Sequence, residues 1–110
     1  MNYIPEKGDI VSLNFNPSSG KEIYKRRLAI VISRRLFNQH TGFAIVAPIT
    51  STIRNMDMEV ILTSSLKTRG AILVHQIKSL DFQERKIKLI EKAPKSIIEQ
   101  VTKIAQVIID

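Results

Sequence analysis

The first part of the chain alternates between apolar and polar residues. From Gly8 to Phe15, the side chains of Val11, Leu13 and Phe15 share one face of an extended backbone, and Ser12 and Asn14 share the other. This period of two predicts a strand with one buried face. A continuous apolar, β-branched run from Leu28 to Ile32 follows and predicts a central strand.

Four further runs predict short strands. The first, from Phe43 to Ala47, is expected to stop at Pro48, because proline has no N–H to donate to a neighbouring strand. The others extend from Met58 to Leu62, from Ala71 to Val74 and from Lys86 to Ile90.

Polar segments separate these strands. The turn-forming residues from Asn16 to Gly20 and the cationic residues from Lys21 to Arg26 predict a flexible surface loop. The segment from Arg34 to Gly42 is interpreted as a connection, and Ile49 to Asp57 as a polar segment.

The period changes after Pro94, where apolar side chains recur at helical spacing. A proline suits the start of a helix, because its missing N–H would have no intrahelical partner there. Five or six short strands with a single terminal helix favour a mainly-β fold, a small antiparallel sheet or barrel that residues 1–110 form as one domain. The helical face comprises Ile97, Ile98, Val101, Ile104, Ala105 and Ile108.

Composition restricts the class of protein. Among 110 residues, 44% are hydrophobic and 25% charged, which is typical of a folded soluble domain and excludes collagenous and low-complexity chains. No apolar run approaches the roughly 18 residues of a membrane span, so we expect a cytoplasmic protein without a membrane partner. The absence of cysteine and the wide separation of the two histidines predict no metal site and no cofactor.

The positive charge is unevenly distributed. Of the formal net charge of +7, +5 falls in residues 1–55, and six bases lie between Lys21 and Arg35. A concentrated cationic patch attracts phosphates, which favours a nucleic acid or an acidic protein segment as partner. A solvated basic face without a partner is the alternative.

Candidate chemistry is confined to strand ends. The chain has no Gly-rich phosphate loop, Ser-x-x-Lys or His-Glu-x-x-His motif. Arg26 and Arg27 precede one predicted strand, and Thr50 follows another. Guanidinium and hydroxyl donors suit the charge that develops when a ribose 2′-OH attacks the adjacent phosphodiester. The alternatives are a surface salt bridge for Arg27 and a capping hydroxyl for Thr50.

Three other residues have simpler interpretations. His40 lies in a polar connection and is interpreted as a solvated loop residue. His75 is either a hydrogen-bonded structural residue or an acid–base group facing a cleft. Glu22, the single acid among six bases, either relieves charge or accepts a hydrogen bond from a base edge of a nucleic acid.

An ordered series of short motifs covers nearly the whole chain. It comprises Gly8 to Val11, Phe15 to Pro17, Gly20, Glu22, Arg27, Ala29 to Ser33, Phe37-Asn38, Ala47 to Thr50, Gly70 to Val74, Gln76 to Asp81 and the C-terminal helix. No single motif is specific, but the series resembles the MazF/PemK family of toxin endoribonucleases, most closely its ChpB-like members.

The resemblance implies an SH3-like, CcdB-like antiparallel β-barrel with a C-terminal helix, working as a homodimer. Such toxins belong to type II toxin–antitoxin systems. They cleave single-stranded mRNA at short sequences without a metal, and a MazE-like antitoxin silences them with an acidic tail. The family's catalytic arginine and threonine correspond to Arg27 and Thr50.

The resemblance also implies an RNA groove. The loop glutamate and the motif glutamine of the family correspond to Glu22 and Gln76. The other residues expected to contact RNA are Lys21, Lys25, Arg26, Ser51 and His75.

Several positions depart from the family pattern, so no cleavage sequence is transferred from a relative. The departures are Asn14, Asn16, Lys25, Leu28 and His75.

The catalytic roles follow from ordinary side-chain chemistry. A guanidinium is effectively never deprotonated in proteins, so Arg27 is expected to stabilise the phosphorane and to serve the leaving 5′ oxygen as a donor. Thr50 is an auxiliary donor, and His75 is the candidate for removing the 2′-OH proton. Two other functions stay open: a non-catalytic module that binds RNA or antitoxin, and a CcdB-like poison of DNA gyrase. The chain's lack of tryptophan disfavours the gyrase poison.

Overall fold

A computed structural model describes residues 3–16 and 25–110 of the chain. The described part contains seven strands, two α-helices and one 3₁₀ turn, Val74–Gln76. The strands are β1 Asp9–Asn16, β2 Lys25–Val31, β3 Phe43–Thr50, β4 Glu59–Ile61, β5 Ala71–Leu73, β6 Lys78–Asp81 and β7 Lys88–Lys92. The helices are α1 Arg35–Thr41 and α2 Lys95–Ile109.

The strands form one antiparallel sheet in the order β4-β5-β3-β2-β1-β7, and β6 pairs with the first half of β3. Among the described residues no pairing joins β4 to β7, so hydrogen bonds do not close the sheet into a ring. The expected mainly-β class with antiparallel pairing and a C-terminal helix is confirmed. Neither helix of the described chain is long and apolar enough to cross a membrane.

Two hydrophobic clusters occupy opposite faces of the sheet. Successive residues of a strand point to opposite faces, so Ile10 joins one cluster and Val11 the other, both fully buried. The expectation that β1 buries only one face is therefore wrong, since Ile10 and Asn14 are buried on the second face. The predicted face of α2 packs on the first cluster through Ile97, Val101 and Ala105, whereas Ile108 is exposed. The second cluster contains Val11, Leu13, Phe15, Ala29, Val31, Ala44, Val46, Leu80 and Phe82.

The structure corrects the number of elements. The connection from Arg34 to Gly42 contains α1, so the terminal helix is not the only one. This helix shows no apolar stripe, because Asn38 is its one buried residue, and its amide bonds to Pro5 O at 2.8 Å. The pattern also missed β6, where Leu80 alone is buried.

The expectation that Pro48 ends its strand is wrong. β3 continues to Thr50, and Pro48 pairs with Ala29 of β2. On the other edge of β3, pairing with β6 stops at Val46 and pairing with β5 begins at Ile49. Pro48 lies between these two pairings, where β3 changes its partner from β6 to β5. Proline is tolerated there because its nitrogen does not have to donate a hydrogen bond to either strand.

Strand boundaries also differ near the cationic segment. β2 begins at Lys25, so Lys25 and Arg26 belong to a strand and not to the predicted loop. The rest of that loop, residues 17–24, lies outside the described residues. The last strand is shifted two residues towards the C-terminus of its predicted range.

Asp9 joins the two ends of the fold. Its buried carboxylate accepts hydrogen bonds from the Tyr3 hydroxyl, from the Glu6 amide at 3.0 Å and from Lys92 Nζ at 2.7 Å. Burial and the bond to Asp9 raise the pKa of Tyr3. The Gly8-Asp9 motif therefore has a structural role, since it fixes the start of β1 against β7.

Candidate active-site cleft

A cleft of about 330 Å³ opens where β2 begins and β3 ends. Strand β2 lines it near its start, and β3 lines it at its last two residues. The loop leading to β5 completes the wall. The lining residues are Arg26, Arg27, Leu28, Ile49, Thr50, Ser51 and Arg69.

Register brings Arg27 and Thr50 together. β2 and β3 are antiparallel, with Ala29 opposite Pro48 and Ile30 opposite Ala47. Continuing this register by two residues places Arg27 opposite Thr50, on the same face of the sheet as Ala29. The structure therefore brings the two residues predicted to be catalytic to one wall of one cleft.

An aromatic ring underlies the Arg27 side chain. The guanidinium carbon lies 5.7 Å from the centroid of the buried Phe15 ring, within the range of a cation–π contact. The ammonium of Lys78 lies 5.0 Å from the same centroid. This ring supports Arg27 while leaving the guanidinium partly exposed.

The Thr50 hydroxyl is oriented by its own loop. Its oxygen accepts a hydrogen bond from the Thr52 amide at 3.2 Å. Because that bond occupies a lone pair, the hydroxyl hydrogen is free to point elsewhere. Ser51 lies beside it and is exposed. Thr50 is therefore suited to donate a hydrogen bond to a ligand in the cleft.

Arg26 is bound to the protein. Its guanidinium donates to Ser12 Oγ at 2.9 Å, to Ser12 O and Lys86 O at 2.7 Å each, and to Asn14 Oδ1 at 3.4 Å. These bonds join β2 to β1 and to the turn before β7. The structure thus gives Arg26 a part in fixing the strand that carries Arg27, and its contact with RNA stays a prediction.

Gly70 permits a close approach between β5 and the end of β3. A Cβ atom at this position would lie 2.0 Å from Thr50 O and 3.2 Å from Ser51 Cα, and the backbone φ of +118° disfavours any side chain. Arg69, the preceding residue, consequently lines the cleft. The sequence pattern did not indicate Arg69, because only this tertiary contact places it there. A cation directly before a glycine at a strand start was the available signal.

Glu91 anchors the segment that leads to Arg69. Its carboxylate accepts hydrogen bonds from the Thr68 amide and hydroxyl at 2.7 Å each, and from the Lys67 amide at 3.1 Å. All three favour the charged form, so the Thr68 hydroxyl, aided by the two amides, lowers the pKa of Glu91 below its usual 4.5.

The lowered pKa of Glu91 makes the free energy of unfolding depend on pH. The folded chain keeps Glu91 ionised at a pH where the unfolded chain binds a proton, so the stabilisation is present above about pH 4.5 and is lost as pH falls through the lowered pKa. We expect Glu91→Gln to melt below wild type near pH 7, with the difference shrinking towards about pH 3. Thermal unfolding followed by circular dichroism measures both, and a difference independent of pH would contradict it.

Two further candidates, His75 and Gln76, are not among the residues that line the cleft. His75 and Gln76 are exposed on the 3₁₀ turn, with His75 Nε2 and Gln76 Nε2 3.5 Å apart. Lys21 and Glu22 lie outside the described residues, as does the Lys25 side chain. The structure therefore does not bring His75 to Arg27 and Thr50 in the cleft.

The described residues contain no group of three or more His, Cys, Asp or Glu side chains arranged to hold a metal. The polar groups that the described residues bring to the cleft are the guanidiniums of three arginines and the hydroxyls of Thr50 and Ser51.

Comparisons with known proteins agree with this geometry. Residues 6–109 match the profile of the PemK-like, MazF-like toxins of type II toxin–antitoxin systems. The chain is 34% identical to the endoribonuclease toxin ChpB of Escherichia coli K12, across 96% of this chain and 94% of the relative. It is 32% identical to the endoribonuclease toxin MazF of the same strain, across 76% and 74%.

A solved structure of similar shape comes from Deinococcus radiodurans. It is a crystal structure of a MazE–MazF complex, 31% identical, with a TM-score of 0.90 over 98% of this chain and 97% of the other.

Proposed function

The chain belongs to the PemK-like, MazF-like family of toxins of type II toxin–antitoxin systems, and from that premise we propose that it cleaves single-stranded mRNA as an endoribonuclease. The activity needs no metal, and expression of the chain stops growth. The observation that carries the proposal is the juxtaposition of Arg27 and Thr50 in the lining of one cleft.

The reaction is an internal attack within the RNA. The ribose 2′ oxygen forms a bond to phosphorus while the bond from phosphorus to the 5′ oxygen breaks. The upstream product carries a 2′,3′-cyclic phosphate and the downstream product a 5′-hydroxyl. Negative charge develops on the non-bridging oxygens, where the planar Arg27 guanidinium donates and the Thr50 hydroxyl adds a neutral donor.

Proton transfer is left to groups other than arginine. The guanidinium of Arg27 has only hydrogen-bond donors, so it offers the leaving 5′ oxygen a hydrogen bond and does not act as a base. Among the described residues no imidazole or carboxylate lines the cleft. We propose that water accepts the 2′-OH proton. Preorganised positive charge is then the main source of rate acceleration.

The proposed RNA groove extends beyond the cleft. From Arg27 it passes Phe15 and Lys78 to the exposed 3₁₀ turn, where His75 and Gln76 contact bases. The other residues proposed to contact RNA are Lys21, Glu22, Lys25, Arg26 and Ser51.

Two macromolecular partners complete the proposal. The acidic tail of a cognate MazE-like antitoxin binds the cationic groove and blocks RNA, as charge complementarity favours.

A second copy of the chain forms a homodimer. Exposed apolar side chains at the end of α2 are consistent with this dimer, since Val107 is 69% and Ile109 73% exposed. Light scattering is expected to give twice the mass of one chain, and a monomer would refute the dimer.

Cleavage without metal is the direct test of this function. We expect purified chain in EDTA to cut a long single-stranded RNA into discrete fragments and to leave a duplex of the same sequence intact. Sequencing the new 5′ ends identifies the recognition sequence. RNA that is bound but never cut would overturn the proposal in favour of a non-catalytic binding module.

A further inference from the structure

We propose that Arg69 is a further catalytic residue, whose guanidinium contacts the phosphate group that Arg27 and Thr50 hold during cleavage. The inference rests on the proposed function, because it concerns the same cleft. It adds a second cation to a reaction centre that the sequence limited to one arginine and one threonine.

Strand order places Arg69 on the opposite side of Thr50 from Arg27. β3 lies between β2 and β5, and Arg27 belongs to β2. Arg69 precedes β5 by two residues, and the first residue of β5, Ala71, pairs with Thr50. Two guanidiniums therefore flank one hydroxyl from neighbouring strands, and all three line the cleft.

The backbone on both sides of Arg69 is fixed. Gly70 packs against the Thr50 carbonyl too closely for any Cβ, and its own carbonyl accepts from the Leu62 amide at 2.9 Å. Thr68, on the other side, is buried and bound to Glu91 through its amide and its hydroxyl. Arg69 is thus presented from a rigid turn, as a group that acts on a reacting phosphate requires.

The Arg69 side chain is also available to a ligand. In the described part of the chain it forms no hydrogen bond and no ion pair, whereas Arg26 donates four hydrogen bonds to its own protein. Among the described residues that line the cleft there is no carboxylate to neutralise Arg69. The planar, exposed guanidinium of Arg69 matches the geometry and charge of a phosphodiester.

The kinetic arm uses single-turnover cleavage of a short RNA at saturating protein, in EDTA. We expect Arg69→Ala to lower this rate by roughly 10- to 100-fold, the worth of a charge-assisted hydrogen bond to the transition state. Arg69→Lys should recover part of the loss, because it keeps the charge without the fork. Arg35→Ala is the matched control, since Arg35 is exposed at the opposite end of β2 and β3, and its rate should stay within about twofold of wild type.

The binding arm uses 2′-O-methyl RNA, which has no hydroxyl to attack. The slope of log affinity against log salt should weaken by about 0.7 in Arg69→Ala and not in Arg69→Lys, since one phosphate contact on a single strand is lost.

A wild-type cleavage rate in Arg69→Ala would overturn the inference, whether or not the salt slope of binding changes. An equal loss of cleavage rate in Arg35→Ala would also overturn it. If the wild-type chain does not cleave RNA, both the proposed function and the catalytic role of Arg69 are wrong. Wild-type cleavage that is lost in Arg27→Ala but kept in Arg69→Ala refutes only the role of Arg69.

Discussion

Arg27→Ala should lose RNA cleavage by about 10²- to 10³-fold while keeping its fold, the effect of deleting one preorganised donor to a developing oxyanion. The loss should appear in the single-turnover rate at saturating protein, because the guanidinium acts on charge that develops in the transition state. Stability should change little, since a cation–π contact such as that with Phe15 contributes only about 0.5–1 kcal/mol. Gel-resolved cleavage in EDTA and thermal unfolding measure the two effects separately.

Arg26→Ala is the contrasting variant on the same strand. Its guanidinium bonds Ser12, Asn14 and Lys86, so its removal should lower the melting temperature more than Arg27→Ala does. Its cleavage rate should fall far less. If Arg27→Ala folds and cleaves like wild type, Arg27 has no catalytic role. If Arg26→Ala and Arg27→Ala lose the same cleavage rate, the role of Arg27 does not differ from that of Arg26.

Gly70→Ala should both destabilise the chain and abolish cleavage. The new methyl group would overlap Thr50 O, and alanine disfavours a φ of +118°. Strained backbone and overpacking together cost about 3 kcal/mol, which corresponds to a fall in melting temperature of roughly 10–20 °C. A backbone shift that relieves this overlap displaces Thr50 or Arg69. The Gly70→Ala chain that still folds should therefore cleave RNA more slowly than wild type.

Gly42→Ala separates the two causes. Gly42 also has a positive φ, of +75°, but a Cβ there would meet nothing within 4 Å. We expect it to lose only about 1 kcal/mol from backbone strain and to cleave at the wild-type rate. If Gly70→Ala behaves like Gly42→Ala in both measurements, the close approach at Thr50 does not shape the cleft.

Local pattern predicted the elements that bury a regular face. From Val11 to Asn16 β1 alternates between apolar and polar residues, and α2 repeats apolar residues at helical spacing, so both were found close to their observed positions. α1 and β6 bury one residue each, Asn38 and Leu80, and a single buried side chain has no period to detect. Pro48 does not end β3 as expected, because a strand's tolerance for proline depends on the neighbouring strands, which the sequence does not show.

The candidate site divides in the same way. Side-chain chemistry made Arg27 and Thr50 candidates, and the family resemblance gave them catalytic roles. The antiparallel pairing of β2 with β3 explains why both line one cleft. Arg69 has no motif of its own, and its place depends on Gly70 packing against Thr50, a contact between segments 20 residues apart. Arg26 had been grouped with Arg27 by adjacency. Strand alternation sends neighbouring side chains to opposite faces, and Arg26 bonds Ser12 and Asn14.

The central claim is cleavage by internal 2′-OH attack between fixed cationic and hydroxyl donors. Mass spectrometry of the fragments of an RNA with one cleavage site, cut in EDTA, tests it most directly. We expect a 2′,3′-cyclic phosphate upstream, a 5′-hydroxyl downstream, and no cleavage when the ribose at the site is 2′-deoxy. Fragments with a 3′-hydroxyl and a 5′-phosphate, or cleavage of the 2′-deoxy RNA, would contradict it.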